Sequence, residues 1–224
     1  MDIATADERG FAALERTVWR TAGARFNAAR RLQRRDTIST LAISLSSLWA
    51  LGGALLAITF ERVLIRDEIA LLNVATILSS VMILILAMFE KGKGYEIKAN
   101  RLFRCGNELL SLRVLIRGTA SDRPESPRSD MHSELARQYG ELLTRNEENH
   151  DPIDDQLFRA QHRLEFGLRW EMALGFRVKS WVQGYALYLF LILVPGAFLG
   201  FVVFRLASRI SGASGSGDFL SGVN

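Results

Sequence analysis

Three long stretches of this sequence contain no charged residue. They cover residues 37–60, 69–89 and 180–204, which are 24, 21 and 25 residues long. A helix needs about 20 apolar residues to cross the roughly 30 Å hydrocarbon core of a bilayer, because each residue adds about 1.5 Å. A buried helix of a soluble protein is the alternative, but three separate stretches of this length disfavour it. The sequence therefore predicts an all-α integral membrane protein with three transmembrane helices.

The distribution of Lys and Arg predicts the orientation of these helices. The segment before residue 37 has eight basic residues and the segment 90–179 has sixteen, whereas the 61–68 connection and the residues after 204 have two each. Basic residues accumulate on the cytoplasmic side of a membrane. Three spans also place the two basic segments on the same side. We therefore expect the N-terminus and residues 90–179 in the cytoplasm, and the short connection and the C-terminal tail outside.

Composition divides the chain into five predicted parts. Their order is a cytoplasmic amphipathic basic helix (1–36), a transmembrane hairpin (37–89), a cytoplasmic helical domain (90–179) with a Ser-, Asp- and Pro-containing linker (118–131), a third transmembrane helix (180–205) and a flexible tail (206–224). The linker is assigned from its two prolines and polar residues. The tail is assigned from its alternating Gly, Ser and Ala.

Apolar residues at spacings of three and four predict helices that pack against one another. One stripe comprises Phe11, Leu14, Val18, Ala22, Phe26, Ala29 and Leu32. A second comprises Tyr95, Ala99, Leu102, Cys105, Leu109, Leu112 and Ile116, on a helix expected to continue from the second span. Cys105 is interpreted as a small core residue rather than a reactive thiol. A further helix is expected to begin at Pro152, with Asp151 as its N-cap, and to lead into the third span.

The sequence contains no pattern of residues that predicts catalysis. It has no Gly-rich phosphate loop, no paired histidines on a helix face and no nucleophile elbow, and its one cysteine excludes a thiolate metal cluster. The acidic run 147–151 with Asp154 and Asp155 is compatible with a metal or acid–base site, but a turn and a helix N-cap explain it more simply. We predict no catalytic residue, no metal site and no cofactor.

Small and polar residues in the three spans predict close helix packing. The candidate positions are Ala42, Ser46, Ala50, Gly53 and Ala57 in the first span, Asn73, Thr76 and Ser80 on one face of the second, and Gly196 and Gly200 beside a Pro195 kink in the third. Small residues allow close approach in lipid, and an Asn there needs a partner. Packing of the three spans within one chain is one interpretation. The other is a self-assembling face whose polar stripe lines a pore between several chains.

An Arg cluster at the edge of the first span favours contact with anionic headgroups. The residues concerned are Arg30, Arg31, Arg34 and Arg35. Each basic residue near such a surface contributes about 1 kcal/mol. The alternative is that the cluster only anchors the orientation of the span.

Five short segments, in this order, carry a family resemblance: Phe26-Asn27-Ala28-Ala29-Arg30-Arg31-Leu32, Ser44-Leu45-Ser46-Ser47-Leu48, Tyr95-Glu96-Ile97-Lys98-Ala99, Tyr139-Gly140-Glu141-Leu142-Leu143 and Glu148-Asn149-His150 followed by Asp154. Over residues 10–205 the sequence resembles the SLATT family. These are two-span effector domains found beside SMODS nucleotide cyclases, SLOG sensors or reverse transcriptases in prokaryotic conflict systems. The additional C-terminal span resembles the branch associated with reverse transcriptases.

The resemblance implies a membrane effector of antiviral defence, without catalytic residues. Such an effector would oligomerise and form a pore that disrupts the inner membrane, which aborts infection. Its implied partners are the lipid bilayer, further copies of the chain and a cytoplasmic activator, either a nucleotide second messenger or a reverse-transcriptase-linked signal. Direct nucleic-acid binding is not expected. The alternative is a membrane anchor or scaffold that recruits a cytoplasmic partner without pore activity.

Overall fold

The computed structural model of the chain describes residues 6–62, 64–121, 128–146 and 148–215, and within them every regular element is a helix. The helices are α1 (Ala6–Thr59), α2 (Arg66–Gly92), α3 (Tyr95–Ser121), α4 (Arg128–Arg145), α5 (Pro152–Gln161) and α6 (Trp170–Gly215). Three helical stretches, which contain α1, α2 and α6, are long and apolar enough to cross a membrane. The predicted all-α membrane fold is therefore confirmed.

The described residues fall into two compact units. Unit 1 lies within Met1–Asp36 and Gly94–Gly184, and unit 2 lies within Thr37–Lys93 and Tyr185–Asn224. The 54-residue helix α1 contributes to both. Its composition changes at that point, because Arg-rich amphipathic sequence gives way to the first uncharged stretch.

The core of unit 1 joins α1, α3 and α4. Its buried residues are Phe11, Val18 and Ala22 of α1, Cys105, Leu109, Leu112 and Ile116 of α3, and Leu135 of α4. Both apolar stripes predicted from the sequence therefore face a core, and Cys105 is buried within it, as expected. Burial raises the pKa of the Cys105 thiol, which keeps it in the protonated, unreactive form at neutral pH.

Two helices end earlier than the sequence analysis predicted. The second span does not run on to residue 117, because α2 ends at Gly92 and Gly94 adopts a φ of +58°. The helix that begins at Pro152 does not reach the third span either, because α5 ends at Gln161 and Gly167 adopts a φ of +60°. Positive φ interrupts a right-handed helix and is readily adopted only by glycine.

The start of α5 follows the prediction. Asp151 is the N-cap with extended backbone angles, and Pro152 occupies the first turn. The backbone N–H of Asp151 donates to Oδ2 of Asp154 at 3.0 Å. The side chain three residues into the helix thus satisfies the backbone at the cap, as in a capping box.

Two predicted irregular segments are partly helical. Helix α3 reaches Ser121 and α4 begins at Arg128, so only residues 122–127 of the predicted linker lie between them, and these are outside the described residues. Helix α6 extends to Gly215, which makes residues 206–215 helical rather than a flexible tail. Leu206 is buried, which gives the start of this extension a packing role. Residues 216–224 lie outside the described part.

Candidate membrane-spanning site

The small-residue face of α1 is used inside unit 2. Ala42 and Ala57 are buried, and so is Ser46. At Gly53, a Cβ atom would lie 3.1 Å from Oγ1 of Thr76 on α2, which is tighter than ordinary van der Waals contact. Ala50 lines a cavity between the helices. These positions agree with the interpretation that the face packs spans of one chain together, since small residues permit that approach.

A proline in α6 creates a polar contact with α1. Pro195 has no backbone N–H, so the carbonyl of Leu191, four residues earlier, loses its helical donor. The hydroxyl of Ser46 donates to that carbonyl at 3.2 Å. An unpaired backbone carbonyl in hydrocarbon costs several kcal/mol, so Ser46 compensates for Pro195 and links α1 to α6.

The two glycines predicted as a pair on α6 have different surroundings. A Cβ at Gly196 would lie 3.3 Å from the indole of Trp49 on α1, whereas a Cβ at Gly200 would meet nothing within 4 Å. Gly196 therefore permits close approach of α6 to α1. Gly200 makes no such approach within the described residues.

The three polar residues of α2 that the sequence analysis placed on one face differ in exposure. Thr76 is half-buried and lies against Gly53, whereas Asn73 and Ser80 are exposed on the outside of the bundle. Ser80 donates its hydroxyl proton to the Thr76 carbonyl at 2.9 Å. The Asn73 side chain has no hydrogen-bond partner among the described residues. Residues three apart differ by about 60° around a helix, so Asn73 lies beside Thr76 but further from α1. A pore-lining role of these residues stays a prediction.

A cavity of about 390 Å³ lies among α1, α2 and α6 within unit 2, and its walls are mainly apolar. The polar side chains along it are Ser46, Thr76 and Ser79. The indole N–H of Trp49, which also borders the cavity, is buried and has no acceptor within the described part of the chain. Apolar walls hold neither an ion nor a continuous file of water. The cavity therefore does not form an ion path within one chain.

A buried polar cluster at the end of α2 was missed by the sequence analysis. The Tyr188 hydroxyl donates to Oε2 of Glu90 at 2.6 Å, and both residues are buried. The ammonium of Lys93 pairs with the other carboxylate oxygen. This cluster joins α2 to α6 and satisfies a charge removed from water. Glu90 marks the end of the second uncharged stretch, but its partner lies 98 residues away and no local pattern indicates it.

The four candidate headgroup arginines have different environments. Arg31 is engaged within unit 1, where its guanidinium pairs with Asp154 at 2.9 Å and with Asp151 at 2.6 Å. Arg35 lies over the ring of Tyr95 at 5.1 Å. Arg30 and Arg34 are exposed. Headgroup contact stays a prediction for all four arginines, although carboxylates already hold Arg31.

The acidic run before α5 is explained by contacts with α1. Asp154 is fully buried against Arg31. Arg20 binds both oxygens of Asp155 at 2.6 Å, and this hydrogen bonding lowers the Asp155 pKa. Burial lowers the pKa of His150, as does the positive charge of Arg25. Among the described residues, no group of three or more His, Cys, Asp and Glu has a geometry that could hold a metal. The run thus anchors α5 to α1.

Comparison with models of protein families gives a match over most of the chain. A model of the SMODS and SLOG-associating 2TM effector domain family 5 matches residues 7–201, which is most of the chain. No curated protein and no solved structure matches. The match does not address the association with reverse transcriptases, which stays a prediction. With its membrane-length helices and most of its length matched, the chain belongs to this SLATT family of membrane effectors of conflict systems.

Proposed function

We propose that this protein is an effector of prokaryotic antiviral defence that assembles from several copies and permeabilises the inner membrane of an infected cell. In this proposal it acts without catalysis and without a cofactor. Its unit 1 and N-terminus are cytoplasmic, as the eight and sixteen basic residues of the two basic segments favour. Loss of the membrane potential then arrests or kills the cell, which aborts the infection.

One observation carries the proposal. Asn73 and Ser80 are exposed in the uncharged stretch of α2, and the Asn73 amide has no hydrogen-bond partner among the described residues, while small residues of α1 are buried inside the chain. Polar side chains at a lipid-facing surface are unfavourable unless protein or water covers them. Assembly of several chains provides both protein and water around these side chains, because it buries part of the surface and encloses an aqueous path.

The proposed activator is a cytoplasmic signal, either a nucleotide second messenger or a signal linked to a reverse transcriptase. Helix α1 offers a mechanical connection, because it is continuous from Ala6 to Thr59 and contributes to both units. In unit 1, α1 is held by ion pairs such as Arg31–Asp154. A ligand that changes this packing would act on the same helix that packs in the membrane.

Induced expression in cells tests the proposal through the membrane potential. We expect the activated protein to depolarise the membrane and Gly53→Leu to abolish this effect, since a larger side chain collides with Thr76. Gly200→Leu is the matched control, because nothing lies within 4 Å of its Cβ position. Unchanged depolarisation and toxicity of Gly53→Leu would show that close packing of the spans is not required.

The second candidate function is a membrane anchor or scaffold without pore activity. It is favoured by a groove on unit 1 whose lining includes Arg101, Arg104 and Arg145. One acidic residue, Glu148, also lines the groove and lies 3.8 Å from Arg101, and Arg145 pairs with Glu108, so the groove keeps an excess of positive charge. Such a basic groove suits an acidic partner protein. An anchor would recruit its partner to the membrane and leave the bilayer sealed, so solute release from vesicles separates the two functions.

A further inference from the structure

The outer surface of α2 carries a regular seam of residues that the described part of the chain leaves largely uncovered. Its positions are Ala70, Asn73, Ile77, Ser80, Leu84 and Ala87, which we call the α2 seam. All are exposed except Ala87, which is half-buried, and the two large members, Ile77 and Leu84, are both 64% exposed. The seam lies beside Thr76, the residue that meets Gly53 of α1.

The spacing of the seam is that of a coiled coil. Successive positions are three, four, three, four and three residues apart, which is the a/d pattern of a heptad repeat. This pattern permits left-handed packing of nearly parallel helices, also in membranes. A neighbouring set from Leu71 to Met88 has the same spacing and is exposed too, so the polar residues distinguish the seam. From residue 70 to residue 87 the seam is about 26 Å long at 1.5 Å per residue, so it extends through most of the hydrocarbon layer.

Asn73 indicates what covers the seam. Its amide is exposed on a helix long enough to cross the membrane, and it has no hydrogen-bond partner among the described residues. Lipid tails offer neither a donor nor an acceptor. A side-chain amide supplies both, so it is complementary to a second copy of itself.

We propose that the α2 seam is the contact between copies of this chain, with α2 of each copy facing the common axis of the assembly. This inference rests on the proposed oligomeric function and specifies its central helix. All copies enter the membrane in the same orientation, so their α2 helices are parallel. Cyclic symmetry then places identical residues at the same height, and the Asn73 amides bond to one another.

The seam also gives the axis a layered composition. Layers of Asn73 and Ser80 alternate with layers of Ile77 and Leu84. The apolar layers form a constriction that excludes water while the helices are close together, and separation of the helices opens it. The polar layers fix the register, as a single Asn does in soluble coiled coils.

Thiol cross-linking of the full chain in membranes tests the contact. Ile77→Cys places a thiol in the seam, and Leu78→Cys places one at the next residue, which is similarly exposed at 61% but lies about 100° around the helix. The parent chain is a further control, because its one cysteine, Cys105, is buried. We expect a short bis-maleimide to link Ile77→Cys chains, and to leave Leu78→Cys and parent chains unlinked.

A second variant tests the role of the amide. Asn73→Leu should weaken association by roughly 3- to 18-fold for each amide–amide hydrogen bond that it removes, on the scale of interhelical hydrogen bonds in membranes. Val74→Leu is the control at nearly the same depth, on an exposed residue outside the seam. Association is measured by energy transfer between labelled chains in vesicles as the protein is diluted into lipid.

The outcomes separate this inference from the proposed function. If the protein assembles and permeabilises vesicles but Ile77→Cys links no better than Leu78→Cys, α2 is not axial and the α2 contact is refuted. The same holds if Asn73→Leu associates as tightly as Val74→Leu. If the parent chain neither assembles nor permeabilises under activating conditions, the proposed function itself is wrong.

Discussion

Replacement of Arg31 by Met should open the core of unit 1. The Arg31 guanidinium donates to both oxygens of Asp154, each at 2.9 Å, and the Asp154 side chain is only 1% exposed. Met retains most of the apolar stem but removes the charge. The Asp154 carboxylate would then stay buried with its backbone contact at Asp151 and without its cation.

The expected cost is large because the carboxylate cannot reach water. Loss of one partner of a buried ion pair costs about 3–5 kcal/mol, and the 18% exposure of the Arg31 side chain favours the lower end of this range. A cost of about 3 kcal/mol corresponds to a roughly 100-fold larger opening constant. Arg20→Met is the matched control. It removes the Arg20–Asp155 ion pair, which also joins α1 to α5, but the Arg20 side chain is 45% exposed. It should cost at most about 1 kcal/mol.

Cys105 provides the assay. It is the only cysteine, and it is fully buried in the core formed by α1, α3 and α4. A maleimide therefore labels it only when unit 1 opens, and under conditions of fast reclosing the labelling rate reports the free energy of opening. We expect Arg31→Met to be labelled roughly 100-fold faster than the parent, and Arg20→Met within about fivefold of it. Equal labelling of the two variants would refute the assignment of a buried, stabilising pair.

Three further predictions concern the membrane contacts and the pH dependence. Ser46→Ala should lower stability in detergent by about 0.6–1.7 kcal/mol. In a Pro195→Ala background, Ser46→Ala should be nearly neutral, because the backbone N–H of residue 195 then donates to the Leu191 carbonyl. Additive effects of the two substitutions would contradict the Ser46–Leu191 hydrogen bond. Gly196→Ile should destabilise the protein through collision with Trp49, whereas Gly200→Ile should not; similar melting temperatures would argue against that contact. The His150 pKa is lowered from 6.5 in the folded state, so the unfolded state binds the proton more readily. The stability that neutral His150 contributes is therefore fully present above pH 6.5 and falls as the pH drops towards the folded pKa. His150→Gln should remove this fall in melting temperature, and a variant with the same pH profile as the parent would contradict the prediction.

Much of the fold follows from the sequence because long uncharged stretches and helical periodicity are local signals. The helix breaks were not predictable in this way. Gly94 and Gly106 are the same residue type in the same neighbourhood, yet Gly94 adopts positive φ and ends a helix while Gly106 stays helical. The reason lies in tertiary contacts. A Cβ at Gly106 would be 2.8 Å from the ring of Phe26, so that glycine permits close packing rather than a turn.

The site was less predictable because its contacts join distant parts of the sequence. Arg31 belongs to a basic cluster that favours lipid headgroups, and nothing local indicates that Asp154, 123 residues later, binds it instead. Helix α2 has large apolar residues on all sides, so its sequence does not fix which side faces the chain. Thr76 faces inward and Asn73 outward, and this distinction depends on the positions of the neighbouring helices.

Release of a trapped dye from lipid vesicles tests the central claim most directly. The purified full chain is reconstituted into vesicles with anionic lipid, and release is followed with and without the cytoplasmic fraction of infected cells as the source of activator. The account predicts release that requires activation, rises steeply with the number of chains per vesicle and is abolished in Gly53→Leu but not in Gly200→Leu. Vesicles that stay sealed under activating conditions at high protein density would contradict the account and favour a membrane anchor.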